Sequence, residues 1–193
     1  MCIRDSYKLS AIALIALMLA GCNGDRKENY IIEGKVTNPK LDGRTVYMQD
    51  ALTGQIRYDS VVVEHGTFRI EGKQDEPVVR ELLVQENDSD MFPVTLPFVL
   101  ENGRIEVDLG ERVYVGNTAL NKEMMDVLMA VDNFTEQDLT RKSVEDMKAD
   151  FANLLMSEIV KHSDNVIGRY LYDAYQNKLT EEQKNEAKKI LAL

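Results

Sequence analysis

Tryptophan is missing from this chain of 193 residues, and cysteine and histidine occur only twice each. The two cysteines, Cys2 and Cys22, form no Cys-x-x-Cys pair. Redox exchange needs a thiolate of lowered pKa and a second thiol to resolve the mixed disulfide, so the chain as it stands carries no such chemistry. His65 and His162 lie far apart with no Cys/His cluster beside them, which argues against a zinc site. Gly-x-Ser-x-Gly, the P-loop and the dinucleotide fingerprint are all absent. Basic residues are also short, 23 against 33 acidic, for a net charge of −10. Phosphate repels such a surface, so no nucleic-acid partner is expected, and a polybasic membrane patch is excluded as well.

Long apolar runs are lacking too. The longest, Leu9–Ala20, is broken only by Ser10 and stops well short of the ~20 residues that a spanning helix requires. Preceded by Lys8 and ending in small residues, it reads as a secretory signal segment over 1–21. Leu19-Ala20-Gly21-Cys22 resembles the bacterial lipobox, which implies cleavage before Cys22 and a diacylglycerol on its sulfur. Lipidation at Cys22 is therefore the expected anchor, and a thioether sulfur attacks nothing. Residues 1–6 (MCIRDS) put an acidic Asp5 where basic residues belong and resemble translated adapter sequence. Removing 1–21 takes away two basic and one acidic residue, leaving 21 against 32, or −11. No free thiol would survive maturation.

Residues 22–29 read as a lipidated, polar tether. The stretch after the cysteine lacks the acidic run of surface-exported lipoproteins, so the periplasmic face of the outer membrane is expected. From Tyr30 the pattern is short strands. Tyr58–Glu64 and Thr67–Glu71 flank "EHGT", a hairpin turn with Gly66. "VTLPFVLENGRIEVDL" places Asn102-Gly103 between two alternating arms and predicts a type I′ hairpin. Pro97 puts its strand at an edge or a bulge.

Near Thr118 the period changes to that of helices. Leu120, Met124, Leu128 and Val131 form one stripe; Val144, Met147, Phe151, Leu154, Leu155 and Ile159 form the next. Asp164-Asn165 caps a third helix, whose buried stripe includes Tyr170 and Tyr175 and leaves Tyr172 exposed. Thr180 and Gln183 form a capping box for a fourth, which breaks off at Leu193 as though cut. The expected class is α+β: an antiparallel β-sandwich or open barrel over 30–116, then a helical region over 117–193.

Several constellations invite chemistry and have plainer readings. "QENDSD" (Gln85–Asp90) has Met91-Phe92 where a calcium loop needs its glycine, so Glu86, Asp88 and Asp90 read as a solvated loop. Met124, Met125, Met129, Met147 and Met156 read as core filler rather than a soft-metal site. Glu181, Glu182, Lys184, Lys188 and Lys189 read as a solvated helix face. No catalytic, cofactor or metal residue is assigned.

"YIIEGKVTNPKLDGRTVYM", "YDSVVVEHGTFRIEGK", "PFVLENGRIEVDL", "VGNTALNKEM", "HSDNVIGRYLY" and "LTEEQ" occur in that order. Together they resemble the N-terminal domain of unknown function, with its helical extension, of Bacteroidota-type thioredoxin-like thiol-disulfide oxidoreductase lipoproteins. The resemblance implies a non-catalytic N-terminal module and a thioredoxin-like domain following the last helix. No catalytic residue of that family has a counterpart here. Asp59-Ser60-Val61 also resembles the short O-glycosylation acceptor of these bacteria. The leading expectation is a cell-envelope module anchored through Cys22 that positions or binds a partner. The alternative is a complete lipoprotein binding a peptide or a glycan on a sheet face or edge.

Overall fold

The structure is a computed structural model that describes residues 29–87, 93–110, 112–137 and 142–193. Cys22, the signal segment and Asp88, Asp90, Met91 and Phe92 lie outside the described residues. Along β1 (Tyr30–Lys35), Tyr30, Ile32 and Gly34 are buried, while Ile31, Glu33 and Lys35 face away. The same period of two runs through β4 (Thr67–Gly72) and β7 (Gly103–Leu109). With β2 (Thr45–Asp50), β3 (Arg57–Val62), β5 (Val78–Val84), β6 (Val94–Leu100) and β8 (Val113–Gly116), they form two four-stranded sheets. The orders are β4-β1-β7-β8 and β3-β2-β5-β6.

The inner faces share one core, with Ile32, Phe68, Ile105 and Leu109 meeting Val46, Leu82, Leu96 and Phe98. Each such side chain, fully buried, contributes roughly 1.5–3 kcal/mol. The expected α+β architecture of a sandwich followed by helices is the one adopted.

Strand partners are another matter. β1 and β7 run parallel, within sheets that are otherwise antiparallel. The Asn102-Gly103 hairpin does not form: β6 pairs with β5, and β7 pairs with β1 and β8. A type I′ turn requires positive φ at both central residues, and only Gly103, at 135°, has it. The dipeptide instead carries the chain from one sheet to the other. Asn102 accepts from the Gln74 amide at 3.1 Å and donates to its carbonyl at 2.6 Å, tying down the β4–β5 connection. His65 (φ 54°) and Gly66 (φ 71°) do make a tight turn, closed by a Glu64–Thr67 bridge. Yet β3 and β4 also enter different sheets.

Four helices follow: α1 (Ala119–Thr135), α2 (Val144–Lys161), α3 (Val166–Tyr175) and α4 (Glu181–Ile190). The expected caps are present. Asn165 accepts from the Ile167 amide, and Thr180 and Gln183 complete a capping box. The helices bury Met124, Val127, Leu155, Ile159, Ile167 and Leu171 against Val79 and Val99 on the outer face of the second sheet. Two stripe assignments are corrected. Val144 is 53% exposed, because α2 turns Ala152, Leu155, Met156 and Ile159 inward. Tyr172 is buried at 3% exposure, whereas Tyr170 and Tyr175 are only half-buried. Gly168 sits against the carbonyl of His162, where a Cβ would collide. That close approach brings the Ile167–Gly168–Leu171–Tyr172 side of α3 inward. Among the described residues no helix is long and apolar enough to cross a membrane.

Candidate functional site

With helices over the second sheet, the outer face of the first is left to solvent, and the strand register maps it. One rung runs Arg69 (β4), Glu33 (β1), Glu106 (β7), Gly116 (β8). The next runs Thr67, Lys35, Asp108, Tyr114. The parallel β1–β7 pair is what brings Glu33 and Glu106 level.

Glu33 is the hub. Arg69 donates to one of its oxygens at 2.7 Å, and Arg104 meets the other at 2.5 Å. Arg69 also pairs with Glu71, and Arg104 lies 3.8 Å from Glu106. Glu71 and Glu33 together hold the Arg69 guanidinium above its ordinary range. The arginines are half-exposed, so solvent screens each pair and little stability comes from them. What the lattice supplies is position rather than stability.

Over it lies a concavity of about 930 Å³. Val61 and Val62 of β3 bound one side, and Tyr114, 44% exposed, bounds the other. Tyr114 lies back along its own strand over Gly116, where a Cβ would strike the ring. The volume falls within the range of small-ligand and peptide sites.

The residues singled out from sequence fall elsewhere. His65 is exposed in its turn. His162 caps α2 at 2% exposure, with Nδ1 3.2 Å from Glu123 and Nε2 3.4 Å from Glu158. Asn165 donates to the same Glu123 oxygen, so this cluster joins α1, α2 and α3. Glu86 accepts from Asn38 at 3.2 Å and from Lys40 at 3.3 Å. Met124 is fully buried and Met156 nearly so, as core filler should be, whereas Met129 is exposed. Glu181 and Glu182 are exposed, with Lys184 bonded to Glu181 at 2.7 Å. Ser60 is exposed on β3, its amide held by the Asp59 carboxylate at 2.7 Å.

Two polar residues with structural weight went unnoticed in the sequence. Asn121, on α1 and fully buried, bonds the amide and the carbonyl of Val99, each at 2.8 Å. It closes the outer edge of β6, the edge strand that Pro97 marks. Gln49, 4% exposed, donates to Glu81 at 2.8 Å beneath α3. Burial pushes the Glu81 carboxyl up, partly offset by that hydrogen bond, and burial likewise raises Tyr170.

The sign of the Glu81 effect follows from linkage. A carboxyl whose pKa is raised in the folded state favours folding at low pH. That advantage is lost as pH rises through the raised value. Glu81→Gln is therefore expected to melt higher than wild type at pH 7.5, with the gap closing towards pH 4.5. Thermal unfolding across that interval checks it.

No curated protein matches the chain at a significant level. The family comparison does find a match, over β1 through the first half of α1, which takes in the charged lattice, the concavity and the Asn121 clamp. Residues 30–124 match the model of DUF4369, a domain of unknown function.

Proposed function

We propose that the chain is a lipid-anchored cell-envelope module that holds and positions a protein partner. In this reading it is the non-catalytic N-terminal part of a thioredoxin-like thiol-disulfide oxidoreductase lipoprotein. It is held on the periplasmic side of the outer membrane through Cys22. The observation that carries the partner-binding role is the outer face of the β4-β1-β7-β8 sheet. Arginine and glutamate side chains that fix one another are poor nucleophiles and bases, but they present charge at set spacings across a concave surface. Such a surface gives orientation and specificity to a docked protein. The motif order in the sequence supports a following thioredoxin-like domain as that partner, and the lipobox supports the anchor.

The exposed Tyr114, lying flat at the rim, favours a second reading: an extended peptide or a glycan taken up in the same concavity. Titrating isotope-labelled residues 22–193 separates the two. Amide shifts at Arg69, Arg104 and Tyr114 on adding a thioredoxin-like domain in trans support docking of that domain. The same shifts produced by short peptides or oligosaccharides alone support the second reading, and no shift with any of them removes the site. The purified segment is expected to reduce insulin no faster than a dithiothreitol blank. Dithiol turnover above the blank would refute the non-catalytic assignment.

A further inference from the structure

The strand directions fix which end of the sandwich faces the anchor. Tyr30 opens β1 opposite Gly72 and Gly103, and the Asn29 carbonyl accepts from the Gly103 amide at 2.9 Å. Leu100 and Val78 pair at this same end, and Asp50 pairs with Arg80 beside them. The β2–β3 turn, residues 51–56, therefore projects from the end where the chain comes in from Cys22. Only six residues lie between Cys22 and Asn29, a reach of at most about 25 Å. The Lys35–Asp108–Tyr114 rung lies at the other end of the first sheet.

That turn is built in an unusual way. The Asp50 carboxylate accepts from the Leu52 amide, the Thr53 amide and the Thr53 hydroxyl, at 3.2, 2.9 and 2.8 Å. These bonds hold its pKa below the ordinary carboxylate range. The Asp50 amide bonds the Ile56 carbonyl, and Gly54 takes a φ of 64°. The backbone is thus tied, yet Leu52 is 51% and Ile56 is 55% exposed. The stretch Ala51–Ile56 (ALTGQI) has no charged side chain to desolvate.

We infer that Leu52 and Ile56 form a second membrane contact, with the bilayer interface as its occupant. The β2–β3 turn dips into the headgroup–acyl boundary and fixes the domain upright, with the Tyr114 end pointing away from the membrane. The inference rests on the anchoring reading above, because Cys22 is what turns this end towards the lipid. Once anchored, insertion is an intramolecular step, so two aliphatic side chains suffice where free protein would not bind. The stretch from Ala51 to Ile56 carries no charged side chain of its own, so the contact should be insensitive to salt.

The absence of tryptophan makes the test clean. Residues 22–193 contain one thiol, and coupling a synthetic maleimide lipid to Cys22 places the domain on phosphatidylethanolamine–phosphatidylglycerol vesicles whether or not the cell acylates it. Leu52→Trp, Ile56→Trp and Tyr114→Trp are compared, each as the only tryptophan. The expected result is blue-shifted emission at 52 and 56, with roughly twofold quenching by acyl-chain bromines as the indole enters ~5–10 Å. Tyr114→Trp should show neither, and 0.5 M salt should change nothing. Unquenched emission at both turn positions in vesicle-bound protein overturns the inference, as does quenching at 114. Failure of the anchoring reading has a separate signature: cell-extracted protein with an unmodified, alkylatable Cys22.

Discussion

Asn121→Leu is expected to lower the unfolding free energy by about 4 kcal/mol. The side chain is fully buried and bonds both the amide and the carbonyl of Val99, with its amide shared by the Thr118 hydroxyl at 2.8 Å. Leucine keeps the volume and removes every bond. Two buried backbone groups are left unpaired, each costing about 1–3 kcal/mol. Thr118→Ala, which removes only the shared contact, should cost about 1 kcal/mol. Urea unfolding followed by circular dichroism measures both, and hydrogen exchange at the Val99 amide reports the clamp itself. A loss below 1 kcal/mol for Asn121→Leu would mean that helix packing alone seals the β6 edge.

Gly34→Ala should cost about 2–4 kcal/mol, although it adds a single methyl group. A Cβ on Gly34 falls inside the ring of Phe68, its cross-strand partner on β4. Phe68 is 5% exposed and part of the sandwich core, so it has nowhere to move without opening a cavity. At the other end of the same strand pair, Tyr30 covers Gly72 in the same way. A double-mutant cycle discriminates the cause: if the clash is with the ring, Gly34→Ala adds little once Phe68 is alanine. Lys35→Ala, one residue along and facing out, should change stability by no more than about 0.5 kcal/mol.

Faces were legible in the sequence and partners were not. Alternation of Phe68 and Ile70 with Arg69 and Glu71 determines which side of β4 is wet, since a strand's side chains alternate whatever lies beside it. It carries no information about which strand lies there. Asn102-Gly103 and His65-Gly66 therefore looked like hairpins, while the tertiary fold uses both to change sheets. The parallel β1–β7 pair rests on contacts across some seventy residues of sequence. The Glu33 lattice exists only because of that pairing: its members come from three strands, and nothing in a linear reading sets them apart from solvated charge.

Helix signals divide in the same manner. Caps are local, so Asn165 and Thr180 could be read directly. Rotation about a helix axis is not, because it depends on how closely the neighbouring backbone approaches. Gly168 against the His162 carbonyl settled it for α3 and turned Tyr172 inward. By itself, then, the sequence determined the α+β class, the wet and dry faces of the strands and the helix caps, all of which depend on neighbours a few positions away. Tertiary structure alone decided the strand order, the clamp on β6 and the concave charged face, because each requires residues distant in the chain to share one surface.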